Sequence, residues 1–144
     1  MSETKAVDVA KMQPGNPVEA PLYASQPAAG FPAPGDDLVE KALDINDLVV
    51  ENPASTFFVR VSGDSMEGAG IFDGDVLVID RAIDAKEGKI VVAAVYGELV
   101  VKRYTKVGND PALVSENEAY APIMVNESED VYLWGTVVGS VRIF

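Results

Sequence analysis

From Thr56 onward the chain is a succession of short β-branched and aromatic runs, each ended by a turn rich in Gly or Asp. This pattern leaves few folds open. Residues 56–61, Thr-Phe-Phe-Val-Arg-Val, read as a strand that Gly63-Asp64-Ser65 breaks. Residues 76–80 read as a buried strand entered through a turn at Asp73-Gly74-Asp75, and residues 84–88 form another turn. Residues 89–95 and 98–104 flank Tyr96-Gly97, a two-residue hairpin connection in which Tyr is not the favoured first residue. Residues 111–115 are a further short strand. Residues 131–144 carry one or two more, with Gly135 and Gly139 as bulge or bend positions. Short strands at regular spacing specify a mostly β fold: a curved, partly closed antiparallel domain.

The chain before this region has a different texture. Pro14, Pro17, Pro21, Pro27, Pro32 and Pro34 are interleaved with Gly15, Gly30 and Gly35. Prolines fix φ and remove donors, so residues 1–35 are expected as an extended, flexible arm and residues 36–144 as the folded domain. Asp36-Asp37 followed by residues 38–43 reads as a short capped helix, and residues 45–51 as a second short turn or helix ended before Pro53.

Composition removes whole classes of chemistry. The chain has no His and no Cys, which excludes Ser-His-Asp and Cys-His catalysis, disulfides and nearly every zinc site. No metal and no cofactor is expected. A net charge of −12 argues against direct nucleic-acid binding, which uses a basic face, and favours protein partners. No apolar run approaches the length of a membrane span and no signal peptide is evident, so a cytoplasmic location is the default expectation.

Two positions have both a chemical and an ordinary reading. Ser65 follows a strand in a Gly-Asp-Ser turn. Such a turn can expose a hydroxyl above converging N–H groups, or can simply cap its own backbone. Lys102 lies on the face of its strand shared by Glu98, Val100 and Tyr104, and Arg103 lies on the other. One of the two cations can be buried while the other is solvated, and spacing alone does not choose between that and two surface charges.

Three motifs in order resolve part of this. Val61-Ser62-Gly63-Asp64-Ser65-Met66, then Asp73-Gly74-Asp75, then residues 98–103, Glu-Leu-Val-Val-Lys-Arg, resemble the self-cleaving Ser-Lys family of LexA-type repressors and UmuD-like mutagenesis proteins. Residues 135–139, Gly-Thr-Val-Val-Gly, resemble the last strands of that domain, whose fold is LexA- and signal-peptidase-like. The likeness runs from about Gly30 to the C-terminus. It implies that Ser65 is a nucleophile, that Lys102 is its general base held neutral in the folded core, and that backbone N–H groups at Ser65 and Met66 form the oxyanion hole. The bond cut would be Ala29-Gly30, followed by Phe31-Pro32 as in UmuD-like members.

One departure separates the subfamilies. The repressors carry a DNA-binding segment ahead of the cleavage bond, and here 29 Pro-rich residues precede it. The UmuD-like resemblance implies a homodimer that meets a RecA nucleoprotein filament on DNA damage. It would then cut itself and serve as accessory subunit of a Y-family, UmuC-like translesion polymerase. The alternatives are a non-enzymatic β-domain adaptor and a LexA-type transcriptional regulator lacking its DNA-binding domain.

Overall fold

A strand presents a row of N–H and C=O groups that need partners, so the β-rich sequence is resolved by asking which strand pairs with which. The computed structural model describes residues 2–13, 19–23, 39–44, 48–117, 119–125 and 130–144. Among these, ten strands run in chain order: β1 Lys5–Lys11, β2 Glu19–Tyr23, β3 Val39–Asp44, β4 Thr56–Ser62, β5 Val76–Asp80, β6 Ile90–Val95, β7 Glu98–Val107, β8 Asp110–Val114, β9 Ile123–Met124 and β10 Val131–Val141. The main sheet has the order β1-β4-β5-β10-β6-β7-β8-β9, and β1 also pairs with β7. That last pairing closes β1, β4, β5, β10, β6 and β7 into an antiparallel barrel, with β8 and β9 continuing outward from β7. The expected fold class, mostly β and curved, is what the chain adopts.

Closure comes from a segment that the sequence marked only as part of an arm. Lys5–Lys11 is extended as expected, and it is also paired, running from Lys5↔Ser62 to Lys11↔Phe57 against β4 and meeting β7 at Lys5↔Val100. Met1–Met12 and Asn52–Phe144 form one unit, and Gln13–Glu51 form a second. In that second unit β2 and β3 pair antiparallel, from Glu19↔Asp44 to Tyr23↔Val39. The short helix expected over residues 38–43 is therefore corrected to a strand. One or two helical turns hold few internal hydrogen bonds, and a partner strand supplies more. Of the second expected turn or helix, residues 48 and 49 are helical.

The barrel interior is apolar. Val59, Val61, Met66, Ile71, Leu77, Ile79, Val92 and Val101 are buried together there. The opposite faces of β6 and β7 build a second cluster from Val91, Ala93 and Val100 with Leu113 and Val131. Both faces of β7 are thus covered, which explains its near-continuous apolar run before Lys102. β10 carries irregularities between Leu133 and Gly135 and between Val137 and Gly139, at the two expected glycines. A Cβ on Gly135 would overlap the Ile79 side chain, so β10 approaches β5 there without room for one.

The β6–β7 hairpin turns at Tyr96-Gly97, between the paired residues Val95 and Glu98. Both turn residues have positive φ, 48° and 84°, the geometry whose twist suits a two-residue hairpin. An L-residue other than Gly, Asn or Asp is disfavoured there by roughly 1 kcal/mol. Tyr96 is exposed and its ring packs on little. We expect Tyr96→Asn to raise stability by about 1 kcal/mol in urea unfolding, and an unchanged or lower midpoint would contradict this account.

Two buried carboxylates brace the domain. Asp75 receives Arg142 Nε at 2.8 Å and a second guanidinium nitrogen at 2.9 Å, and also the Phe72 N–H at 2.9 Å. The Arg142 guanidinium lowers its carboxyl below the ordinary value, against the opposite push of burial. Burial pushes Asp80 up, and donors from Ser55, Asn52 and the Ala82 N–H outweigh it and hold it low. A carboxyl with a lowered folded pKa stabilises the fold above its unfolded value, near 3.9, and that contribution is lost as pH falls through the folded value. Arg142→Met should therefore lower the thermal midpoint at pH 7, with the gap from the parent chain shrinking as pH falls below about 4. A gap independent of pH would mean that Arg142 acts through packing on Phe72 alone, where its guanidinium lies 4.2 Å from the ring centroid.

Candidate active site

The Ser65 turn is held by its neighbours in the chain before any chemistry is considered. Gly63 has φ of 106°, a conformation that suits glycine, and its N–H donates to Asp73 Oδ1 at 2.9 Å. Gly74 N–H donates to the Val61 carbonyl at 2.8 Å and Val61 N–H to the Asp75 carbonyl at 3.0 Å. Asp73-Gly74-Asp75 is thus the clamp that fixes the end of β4 where Ser65 begins. Met66 follows with 0% of its surface exposed, locked in the barrel core. Its carbonyl accepts from Ala69 and Ile71 N–H, closing the 3-10 turn Glu67–Ala69.

Ser65 itself is 0% exposed. Its Oγ receives the Thr4 N–H at 2.8 Å and lies 3.2 Å from Thr4 Oγ1. The N–H groups of Asp64 and Ser65 converge on one oxygen, the carbonyl of Ser2, at 2.9 and 3.2 Å. This is the donor arrangement that an oxyanion needs. The expected hole paired Ser65 with Met66, and the two donors that meet on one oxygen here are those of Asp64 and Ser65.

Lys102 sits mid-strand in β7 opposite Val91 of β6, and is 1% exposed. Arg103, next in the chain, faces the other way, about a third exposed, and pairs with Glu116. The lysine is the buried member of the two. Its Nζ donates to Ser115 Oγ at 2.6 Å, pairs with the Glu3 carboxylate, and lies 5.4 Å from the Tyr120 ring centroid. A charged amine out of water needs this many partners. Among the described residues no hydrogen bond joins Ser65 Oγ to Lys102 Nζ. One short segment touches both: Glu3 meets the lysine and Thr4 meets the serine. Ala29 and Gly30 lie outside the described residues.

Reading the sequence missed Glu3, Thr4 and Ser115. For Ser115 a signal existed. β7 and β8 are joined through Gly108-Asn109, and the register that pairs Val107 with Asp110 and Arg103 with Val114 places residue 115 directly across from residue 102. Cross-strand neighbours share a face. No metal-holding group of His, Cys, Asp or Glu occurs among the described residues. No helix among them is long and apolar enough to cross a membrane.

The barrel thus holds a buried serine under two converging N–H groups and a buried lysine on β7. Residues 21–138 match the peptidase S24-like family. The chain is 38% identical to protein MucA of Salmonella typhimurium over 122 residues, covering 84% of this chain and 83% of that one. It is 49% identical to protein ImpA of the same species over 83 residues, 58% of this chain and 57% of the relative. It is 41% identical to the LexA repressor of Shewanella sediminis over 118 residues, 81% of this chain and 57% of the repressor. The chain belongs to the peptidase S24-like family, as a UmuD-like member of the LexA/UmuD group of self-cleaving serine peptidases that serve SOS mutagenesis.

The core anchor next to the serine can be probed apart from chemistry. Met66→Ala should cost about 2–5 kcal/mol of stability, while the volume-conserving Met66→Leu should cost less than about 1.5 kcal/mol. Equal losses in urea unfolding would show that the residue is not packed as described.

Proposed function

We propose that the chain cuts its own Ala29-Gly30 bond with Ser65 as nucleophile and Lys102 as general base. The observation that carries this reading is the convergence of the Asp64 and Ser65 N–H groups on a single peptide carbonyl beside the buried Ser65 hydroxyl, with buried Lys102 reached through the adjoining residue. In the reaction, neutral Lys102 takes the proton from Ser65 as Oγ bonds to the carbonyl carbon of Ala29. The Asp64 and Ser65 N–H groups stabilise the oxyanion. The C–N bond to Gly30 then breaks, and Lys102 returns the proton to the leaving amine. Water attacks the Ser65 ester and releases Ala29 as a carboxylate. Ser115 holds the lysine amine in place through its hydroxyl, a positioning role.

The bond is tethered to its own catalyst, so its effective concentration is high and control must lie in access. In this reading a RecA nucleoprotein filament stabilises the pose with the bond docked and supplies no chemical group, a population shift. The cleaved homodimer then joins a Y-family, UmuC-like polymerase for translesion synthesis. The part removed carries Glu3, Asp8 and Glu19 against Lys5 and Lys11, a net of −1, so −11 of the −12 remains. Cleavage therefore works by freeing a surface, and the overall charge hardly changes.

Incubation with an activated RecA filament should give a product of intact mass beginning at Gly30. Ser65→Ala and Lys102→Ala should give none while keeping the β-type circular dichroism spectrum. Lys102→Arg should also be inactive, because a guanidinium does not give up its proton. A normal rate from folded Lys102→Ala would end the Ser-Lys assignment, and a new terminus elsewhere would end the assignment of the bond.

A further inference from the structure

We propose that the cleft at Ser65 and Lys102 is a binding site for the chain's own segment Ser2–Lys5, which lies there in the pose of a peptide substrate and excludes any other segment until it leaves. The inference rests on the Ser-Lys reading above for its functional meaning, and on geometry for its existence.

Recognition is mostly through backbone, as a peptide site requires. The Ser2 carbonyl takes both N–H groups of the oxyanion hole, and the Ser2 N–H donates to Asp64 Oδ1 at 2.9 Å. The Thr4 N–H donates to the nucleophile itself, and the Thr4 carbonyl accepts the Val101 N–H at 3.0 Å, one residue before the lysine. Thr4 is fully buried. Lys5 continues the segment with an ion pair to Glu98 at 3.0 Å and backbone register to both Ser62 and Val100.

Sterics make occupancy exclusive. A Cβ on Gly63 would overlap the Glu3 carbonyl oxygen and stand 2.9 Å from Thr4 Cα. The segment is therefore laid on bare backbone, with no room for a second chain.

Electrostatics separates this segment from a substrate. Glu3 places its carboxylate on the Lys102 amine, and an amine engaged in that pair is not available to Ser65. Residues 20–35, which include Ala29-Gly30, contain no charged side chain. A segment from that region would fill the cleft without pairing the lysine. The site thus discriminates by charge: an extended peptide carrying an acidic residue is held, and a neutral small-residue peptide is cut.

The test uses the full chain with Glu3→Gln and Glu3→Lys. Self-cleavage without an activator should rise several-fold in Glu3→Gln and further in Glu3→Lys, where repulsion replaces attraction. In parallel, hydrogen exchange is followed at the amides of residues 64, 65 and 101 in a Ser65→Ala background, which cannot cut itself. These amides should exchange faster when Glu3→Lys is added, because their acceptors are the Ser2 and Thr4 carbonyls. Faster exchange with no cleavage in any variant would uphold the bound segment and remove the Ser-Lys reading instead. Unchanged exchange would overturn the proposal, and so would faster exchange in a chain whose parent cuts but whose variants cut no faster. Glu3→Gln keeps the shape of the side chain, so the comparison survives if Glu3→Lys disturbs folding.

Discussion

A lysine amine taken out of water in the middle of β7 is the constraint around which this molecule is arranged. Left alone, such a group costs several kcal/mol of lost hydration. Val91 across the β6–β7 pair and Val100 on the same face of β7 are buried and apolar. Partners have to arrive from elsewhere, and each comes on a different element. The β7–β8 hairpin brings Ser115 opposite, the stretch after β8 lays the Tyr120 ring alongside, and the residues leading into β1 deliver Glu3. A sheet built for stability alone would turn this side chain outward, as it does Arg103. Keeping it inside is a local sacrifice of the kind found at working sites.

The serine half of the site is built by the opposite means, with small residues and fixed backbone. Gly63 supplies a φ of 106°. Asp73 and Asp75 tie the end of β4 from beneath, and Arg142 near the end of β10 secures Asp75 in turn. Met66, next in the chain, anchors the turn through a side chain that belongs to the barrel core. Flexible donors would have to be ordered during a reaction. In the proposed reaction, donors fixed in advance by this clamp need no such rearrangement.

The strands of the barrel were legible because their apolar, β-branched runs and their glycine turns agree. β5 matches its expected bounds, and β4, β6, β7 and β8 differ from theirs by a few residues. The two glycines of β10 fall where its ladder is irregular for the same reason. Ser65 and Lys102 are joined in one proposed site only by the order of three motifs, since each has an ordinary reading on its own. What escaped was pairing over long sequence distance. Lys5–Lys11 contains Lys5, Asp8 and Lys11 among small residues, with no strong strand signal. It becomes a strand because the seam between β4 and β7 is open to it, and tertiary context overrides local preference. The strand at Val39–Asp44 was misread because a six-residue run with acidic residues ahead of it also fits a capped helical turn, and the choice belongs to β2.

The way β1 is attached shows how a blocked site and a stable barrel coexist. Its pairing with β7 is confined to the start, at Lys5↔Val100 and the Val101 N–H to Thr4 carbonyl bond. Its pairing with β4 continues through Asp8↔Arg60 to Lys11↔Phe57, and the Met12 N–H still donates to the Thr56 carbonyl. A register shift between Ala6 and Asp8 divides these two stretches. Such an irregularity interrupts the ladder, so the bonds on one side can open without unzipping the other. Release of residues 2–5 would thus uncover Ser65 and Lys102 while residues 8–11 keep β4 covered. The β1–β7 seam rests on the released residues, so it opens with them, and only the β4 side of β1 stays paired.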